Sequence, residues 1–118
     1  MDRIASYKDL IVWQKSVELV SKVYEITRLF PEEEKFGLTS QIRRSAVSIP
    51  SNIAQGYGRG TSKTYLQFLS IARGSLFELE TQFHIARRLR FIAENNEIEY
   101  IISEISKMLN ALINKIKN

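Results

Sequence analysis

The sequence predicts an all-α fold, an antiparallel up-down-up-down four-helix bundle, on three observations. Four segments carry apolar residues at helical spacing, every connection between them is short, and no segment alternates apolar and polar residues as a strand does. A chain of 118 residues, 44% hydrophobic, suits one domain over 1–118 built on one core.

The first helix is expected over about 9–30, with Asp9 as its N-cap and Pro31 and the acidic run Glu32–Glu34 ending it. The second is expected over about 37–56, stopped by Gly56, Gly58 and Gly60. The third, capped by Ser62, covers about 63–90. The fourth covers about 96–116, after a turn at Asn95-Asn96.

Helix four has the apolar face of an ordinary bundle helix. Ile98, Ile101, Ile102, Ile105, Met108, Leu109, Leu112, Ile113 and Ile116 project onto an arc of about 140°. Helix one is broader. Leu10, Trp13, Val17, Val20 and Tyr24 form one stripe, Val12, Leu19, Val23, Ile26 and Phe30 a second, and together they span about 200°. Helix three repeats this less strongly: Tyr65, Phe68, Leu69, Ala72, Leu76, Leu79, Phe83 and Ala86 make a core face flanked by Leu66 and Phe77. Surplus apolar surface of this kind is covered by a symmetric oligomer or absorbed by a wide monomer core; the homo-oligomer is the expectation, with Trp13, Val17, Val20 and Tyr24 at its interface.

Residues 38–60, LTSQIRRSAVSIPSNIAQGYGRG, contain no acidic residue. Leu38, Ile42, Ser45, Ile49 and Ile53 are expected to face the core, Val47, Pro50 and Ala54 the far side, and Pro50 to bend the helix near Ala46. Gln41, Arg44, Ser48, Asn52 and Gln55 form a narrow polar stripe. That stripe either meets water or lines an interface, a pore or a phosphate backbone; Gln41, Ser48 and Asn52 are accordingly further interface candidates.

The net charge of +4 is unevenly placed. Residues 1–35 hold 6 basic and 7 acidic side chains, residues 36–93 hold 8 and 2, and residues 94–118 hold 3 and 4. A central excess of this kind is either a solvated face or a footprint for an anionic partner such as RNA. Arg43, Arg44, Arg59, Arg87 and Arg88 are the candidate phosphate contacts, with Tyr57 as a candidate for base stacking. Arg87, Arg88 and Arg90 also complement the dipole at the end of helix three, which is a structural reason in itself.

Little in the chain suggests catalysis. The single histidine, His84, stands four residues after Glu80, a spacing that suits a surface ion pair and falls short of the two-helix Glu-x-x-His pattern of metal bundles. No Ser/His/Asp constellation has motif support, and Gly56-Tyr57-Gly58-Arg59-Gly60 follows a helix, where phosphate-cradling loops follow a strand. No catalytic residue, metal, cofactor or small-molecule substrate is therefore expected. Without cysteine there is no disulfide framework, and the longest aliphatic or aromatic run, Leu10–Trp13, is far short of a membrane span of ~20 residues. The N-terminus has no signal-like apolar run, and a cytoplasmic protein is the expectation.

The chain resembles the bacterial 23S rRNA intervening-sequence protein family. The resemblance rests on Tyr7-Lys8-Asp9-Leu10 with Trp13 and Lys15, Gly37-Leu38-Thr39-Ser40-Gln41-Ile42-Arg43-Arg44, Ser48-Ile49-Pro50-Ser51-Asn52-Ile53-Ala54, Gly56-Tyr57-Gly58-Arg59, Gly74-Ser75-Leu76 and Glu78-Leu79-Glu80-Thr81, over about residues 5–95. Gln55 departs from the family's usual glutamate before the glycine turn. The resemblance implies a small bundle without enzymatic activity, often a ring-shaped homopentamer. A related bundle, the accessory variability protein of diversity-generating retroelements, works with a reverse transcriptase and binds nucleic acid. Two functions follow as expectations: binding of structured RNA, or an adaptor role in which the basic surface docks an acidic protein such as a reverse transcriptase. Under either, Arg43 and Arg44 could be consumed by ion pairs between subunits.

Overall fold

Four helices carry the fold: α1 (Ile11–Thr27), α2 (Leu38–Tyr57), α3 (Ser62–Arg88) and α4 (Asn96–Lys117), with 3₁₀ turns at Tyr7–Asp9 and Glu32–Glu34 leading into α1 and α2. The computed structural model describes residues 5–94 and 96–118, among which there is no strand. The turn expected at Asn95-Asn96 lies partly outside the described residues.

Cross-helix pairs give the direction of each helix. Ser48 meets Ser75 while Gly56 meets Phe68, so α2 and α3 run oppositely. Arg73 pairs with Asn110 and Arg87 with Glu99 across α3 and α4; Lys15 pairs with Glu104 and Lys22 with Glu97 across α1 and α4. Rising numbers on one helix match falling numbers on its neighbour each time, as an up-down-up-down bundle requires. Leu19, Ile42, Ile49, Ile53, Leu69, Leu76, Leu79, Ile105 and Leu109 fill the centre at full burial. At roughly 1.5–3 kcal/mol each, these side chains supply most of the drive to fold.

Several boundaries differ from expectation, each for a local reason. Asp9 does not cap α1. Its carboxylate accepts from the backbone N–H groups of Ala5 (2.9 Å) and Ser6 (3.1 Å), while Ser6 Oγ accepts from Lys8 N (3.0 Å), closing a capping box on the 3₁₀ turn. Leu10, extended and without a side-chain cap, then opens α1. Helix α1 ends at Thr27, short of Phe30, and Thr27 Oγ1 donates back to Val23 O at 2.7 Å. Thr61 caps α3 in place of Ser62, its hydroxyl accepting from Thr64 N at 3.3 Å.

Gly56 is inside α2 and buried, and serves packing where a helix stop was expected. A Cβ there would sit 2.7 Å from Phe68 Cβ and 3.1 Å from Tyr65 Cδ1, so only glycine allows α2 and α3 to approach this closely. Gly58 follows α2 in a right-handed conformation, and Gly60 (φ +85°) makes the left-handed turn. Pro50 is buried, contrary to its expected place on the far side: α2 lies between α1 and α3 and buries both flanks, including Thr39, Ala46 and Pro50. The helix runs unbroken through it.

The apolar surplus of α1 is smaller than the sequence suggests. Its buried face is Val12, Ser16, Leu19, Val23 and Thr27. Trp13 and Val20 also pack on the core, Trp13 standing edge-on to Tyr7 with centroids 5.3 Å apart. Only Val17 and Tyr24 of the first stripe remain exposed. Ile11, at the start of α1, is exposed as well, and α3 leaves a comparable apolar surface at Ile71, Phe77 and Ile85, with Leu89 just beyond.

Candidate functional site

The first half of α2 builds the basic face. Glu34 Oε1 accepts from Leu38 N at 3.1 Å, so the last acid of the Glu32–Glu34 turn is spent on starting the helix. One turn on, Arg43 leans onto α1. Its Nε donates to Thr27 Oγ1 at 2.8 Å and its Cζ lies 4.5 Å from the centroid of the Tyr24 ring. This half-buried guanidinium joins the two helices. Arg44, the next residue, is exposed and has no ion pair among the described residues.

A groove of about 660 Å³ opens along this face, lined by Tyr24, Lys35, Phe36, Thr39, Ser40, Arg43, Arg44, Val47 and Ser48. Three cations line it and no carboxylate does. Phe36 stands at its edge 90% exposed, with Lys35 Nζ 5.7 Å from the ring centroid. Thr39, at 7% exposure, presents a hydroxyl with no hydrogen-bond partner among the described residues.

A smaller recess of about 290 Å³ lies between α2 and α3, with Arg44, Glu78 and the buried Gln82 on its walls; Arg44 thus borders both cavities. The Gln82 amide oxygen is buried without a partner. Beside it the polar stripe of α2 divides. Ser48 Oγ and Ser75 Oγ are 2.8 Å apart, and Asn52 Nδ2 donates to Ser48 O (2.8 Å) and Ser48 Oγ (2.9 Å). Ser48 therefore joins α2 to α3, with Asn52 bound to it within α2, while Gln41 and Arg44 stay exposed.

The other sequence candidates lie elsewhere. Arg59 sits over the Phe68 ring at 5.2 Å, and Tyr57 stands edge-on to Tyr65 at 6.1 Å, about 20 Å along α2 from Arg44 at 1.5 Å per residue. Arg87 is paired with Glu99 of α4. Arg88 is exposed in the last turn of α3, and Arg90 adopts the left-handed conformation (φ 63°) beyond it. The structure thus joins Arg43 and Arg44 in one face, keeps Arg88 exposed at the end of α3, and engages Arg87 internally. His84 and Glu80 are both exposed, but no ion pair between them occurs among the described residues.

Lys35, Phe36 and Thr39 are missing from the sequence candidates, and Tyr24 figured only as an interface residue. The available signal was Phe36 itself, a large aromatic residue between helices, belonging to no helical stripe.

Among the described residues, Tyr65 and Lys22 depart from their ordinary range. Burial, then the nearby Tyr57, raises the Tyr65 phenol. Pairing with Glu97 raises the Lys22 ammonium. Neither borders the basic groove. Among the described residues no group of three or more His, Cys, Asp or Glu side chains could hold a metal, and no helix is long and apolar enough to cross a membrane.

Fold and surface together define a small helical-bundle protein with one cationic, aromatic-edged face. The chain belongs to the 23S rRNA-intervening sequence protein family, whose model matches residues 8–111. Among solved structures it is similar to a protein of unknown function from the S23 ribosomal protein family of Bacteroides thetaiotaomicron VPI-5482. The TM-score is 0.80 at 25% identity, covering 87% of this chain and 98% of that one. A search of curated proteins finds no significant match.

Proposed function

We propose that this protein is a non-enzymatic, cytoplasmic homo-oligomer that binds structured RNA through its basic α2 face. The observation that carries the reading is the groove itself: Lys35, Arg43 and Arg44 line it, no carboxylate is among its walls, and Arg44 is exposed and has no ion pair among the described residues. Cations without an ion-pair partner gain by taking up phosphates and releasing condensed counterions. Arg88 widens the basic surface; Arg59 and Tyr57 form a separate, weaker contact at the other end of α2. The family's link to rRNA intervening sequences makes an rRNA hairpin the natural first probe.

Oligomerisation multiplies such contacts. The apolar surface left on α3 supports it: Ile71, Gly74 and Ile85 fall within about 60° on the helix, and Ile71 and Ile85 are exposed. A five-membered ring is the arrangement that the family resemblance implies.

The test is fluorescence anisotropy of a labelled rRNA hairpin, with light scattering to count subunits. Salt-sensitive binding that Arg44→Ala weakens is expected, together with a mass above the monomer that Ile71→Glu reduces. Absence of RNA binding at low salt, with the oligomer intact, would move the reading to the adaptor, in which the same cations dock an acidic protein.

A further inference from the structure

Resting on the RNA reading above, we infer that the α1–α2 groove is a pocket for an unpaired nucleotide of the bound RNA, with Phe36 as the stacking platform and Lys35, Arg44 and Thr39 holding the adjoining phosphate and sugar. A surface that only tracks a duplex backbone needs cations and no apolar walls. This groove combines the two: Tyr24, Phe36 and Val47 are all exposed along it, beside Lys35, Arg43 and Arg44. A nucleotide matches that combination, since it joins a flat aromatic ring to an anion. Proteins read single-stranded RNA in this way, by stacking splayed bases on aromatic side chains and guanidinium planes.

The fine structure agrees. The Tyr24 ring is packed against Arg43 and closes the inner wall, whereas Phe36 stays 90% exposed with Lys35 Nζ 5.7 Å from its ring centroid, so that a base stacked on it would lie beside a cation. A phenylalanine this exposed adds nothing to the core of the chain. Thr39 supplies a hydroxyl inside the groove at 7% exposure with no partner among the described residues, which suits a ribose hydroxyl or a phosphate oxygen. The groove's volume of about 660 Å³ falls in the range of small-molecule sites.

The experiment compares two hairpins with the same stem, one closed by an adenosine loop and one by an abasic loop of equal length and charge. Binding to the intact oligomer is followed by anisotropy for the wild type, Phe36→Ala and Arg44→Ala. The wild type should prefer the adenosine loop by about tenfold, the range of one base–aromatic stack. Phe36→Ala should erase that preference while leaving abasic-loop binding unchanged; because the ring is exposed, the variant should fold normally, which circular dichroism checks. Arg44→Ala should weaken both hairpins alike. Equal affinity of the wild type for both hairpins, or an unchanged preference in Phe36→Ala, would overturn the pocket and leave the RNA reading standing. Binding of neither hairpin at low salt would overturn the RNA reading and the pocket with it. Groove-dependent capture of an acidic aromatic peptide alongside that result would assign the surface to a protein partner.

Discussion

Arg43 rests on Tyr24, guanidinium Cζ to ring centroid 4.5 Å, and donates from Nε to Thr27 Oγ1 at 2.8 Å, so one side chain closes the junction between the end of α1 and the start of α2. Its neighbour Arg44 has neither contact and faces outward. Adjacent and chemically identical, the two residues have separable roles. Arg43→Ala should cost about 1–2 kcal/mol of stability through the lost cation–π contact and hydrogen bond. Arg44→Ala should stay within about 0.5 kcal/mol. Urea denaturation of both variants makes the comparison; equal losses would show that Arg44 is also structural.

The glycines separate in the same way. Gly56→Ala places a Cβ 2.7 Å from Phe68 Cβ, an atom close to the backbone of α3, and should destabilise by about 1–3 kcal/mol. Gly74, exposed within α3, has nothing within 4 Å of the Cβ it would gain. In the isolated chain Gly74→Ala should therefore stabilise by about 0.5–1 kcal/mol. If Gly74 lies where a second copy approaches closely, the same substitution weakens assembly instead. Thermal melting with light scattering on each variant distinguishes the outcomes.

Tyr65 makes stability depend on alkaline pH. Its hydroxyl is buried without a partner, and burial with the Tyr57 contribution raises its pKa from the ordinary 10.0. The fold favours the protonated phenol, so stability is level below pH 10.0 and declines as pH rises above it, through the folded-state value. Tyr65→Phe should flatten that decline and, by removing an unsatisfied hydroxyl, raise neutral-pH stability by about 1 kcal/mol. A pH series of urea melts on both proteins measures it; a less stable phenylalanine variant would mean the hydroxyl is satisfied in solution.

Arg87 is paired with Glu99, which makes it a junction between α3 and α4. Arg87→Ala should leave RNA affinity within about twofold and cost no more than about 1 kcal/mol of stability, as partly exposed pairs do. Arg88→Ala should weaken RNA binding with stability unchanged. Paired anisotropy and melting measurements decide, and a larger affinity loss for Arg87 would return it to the binding surface.

How far the sequence carried can be judged from particular residues. Helix number, order and most core positions were legible because they rest on periodicity: the nine apolar residues of α4 and the Ile42/Ile49/Ile53 line are where the pattern puts them. Pro50 was misplaced because α2 packs against both α1 and α3 and buries a wider arc than the single face that the projection assigned to it. Asp9 and Ser62 lost their expected capping roles to Leu10 and Thr61, a matter of single backbone angles. The sequence could not separate Arg44, which is exposed, from Arg43 and Arg87, which are engaged, because Tyr24 and Glu99 come from distant segments. The groove was hidden for the same reason: Phe36 and Tyr24 meet only when α1 and α2 pack.

The most direct test of the central claim is the salt dependence of RNA binding by the wild-type protein. With Lys35, Arg44 and Arg88 contributing from each protomer, log Kd against log salt should change with a slope of magnitude about 2–3 per engaged protomer, and Arg44→Ala should lower it by about one. No binding at low salt, or binding indifferent to salt, would contradict the account and show that the central charge of this chain serves something other than a polyanion.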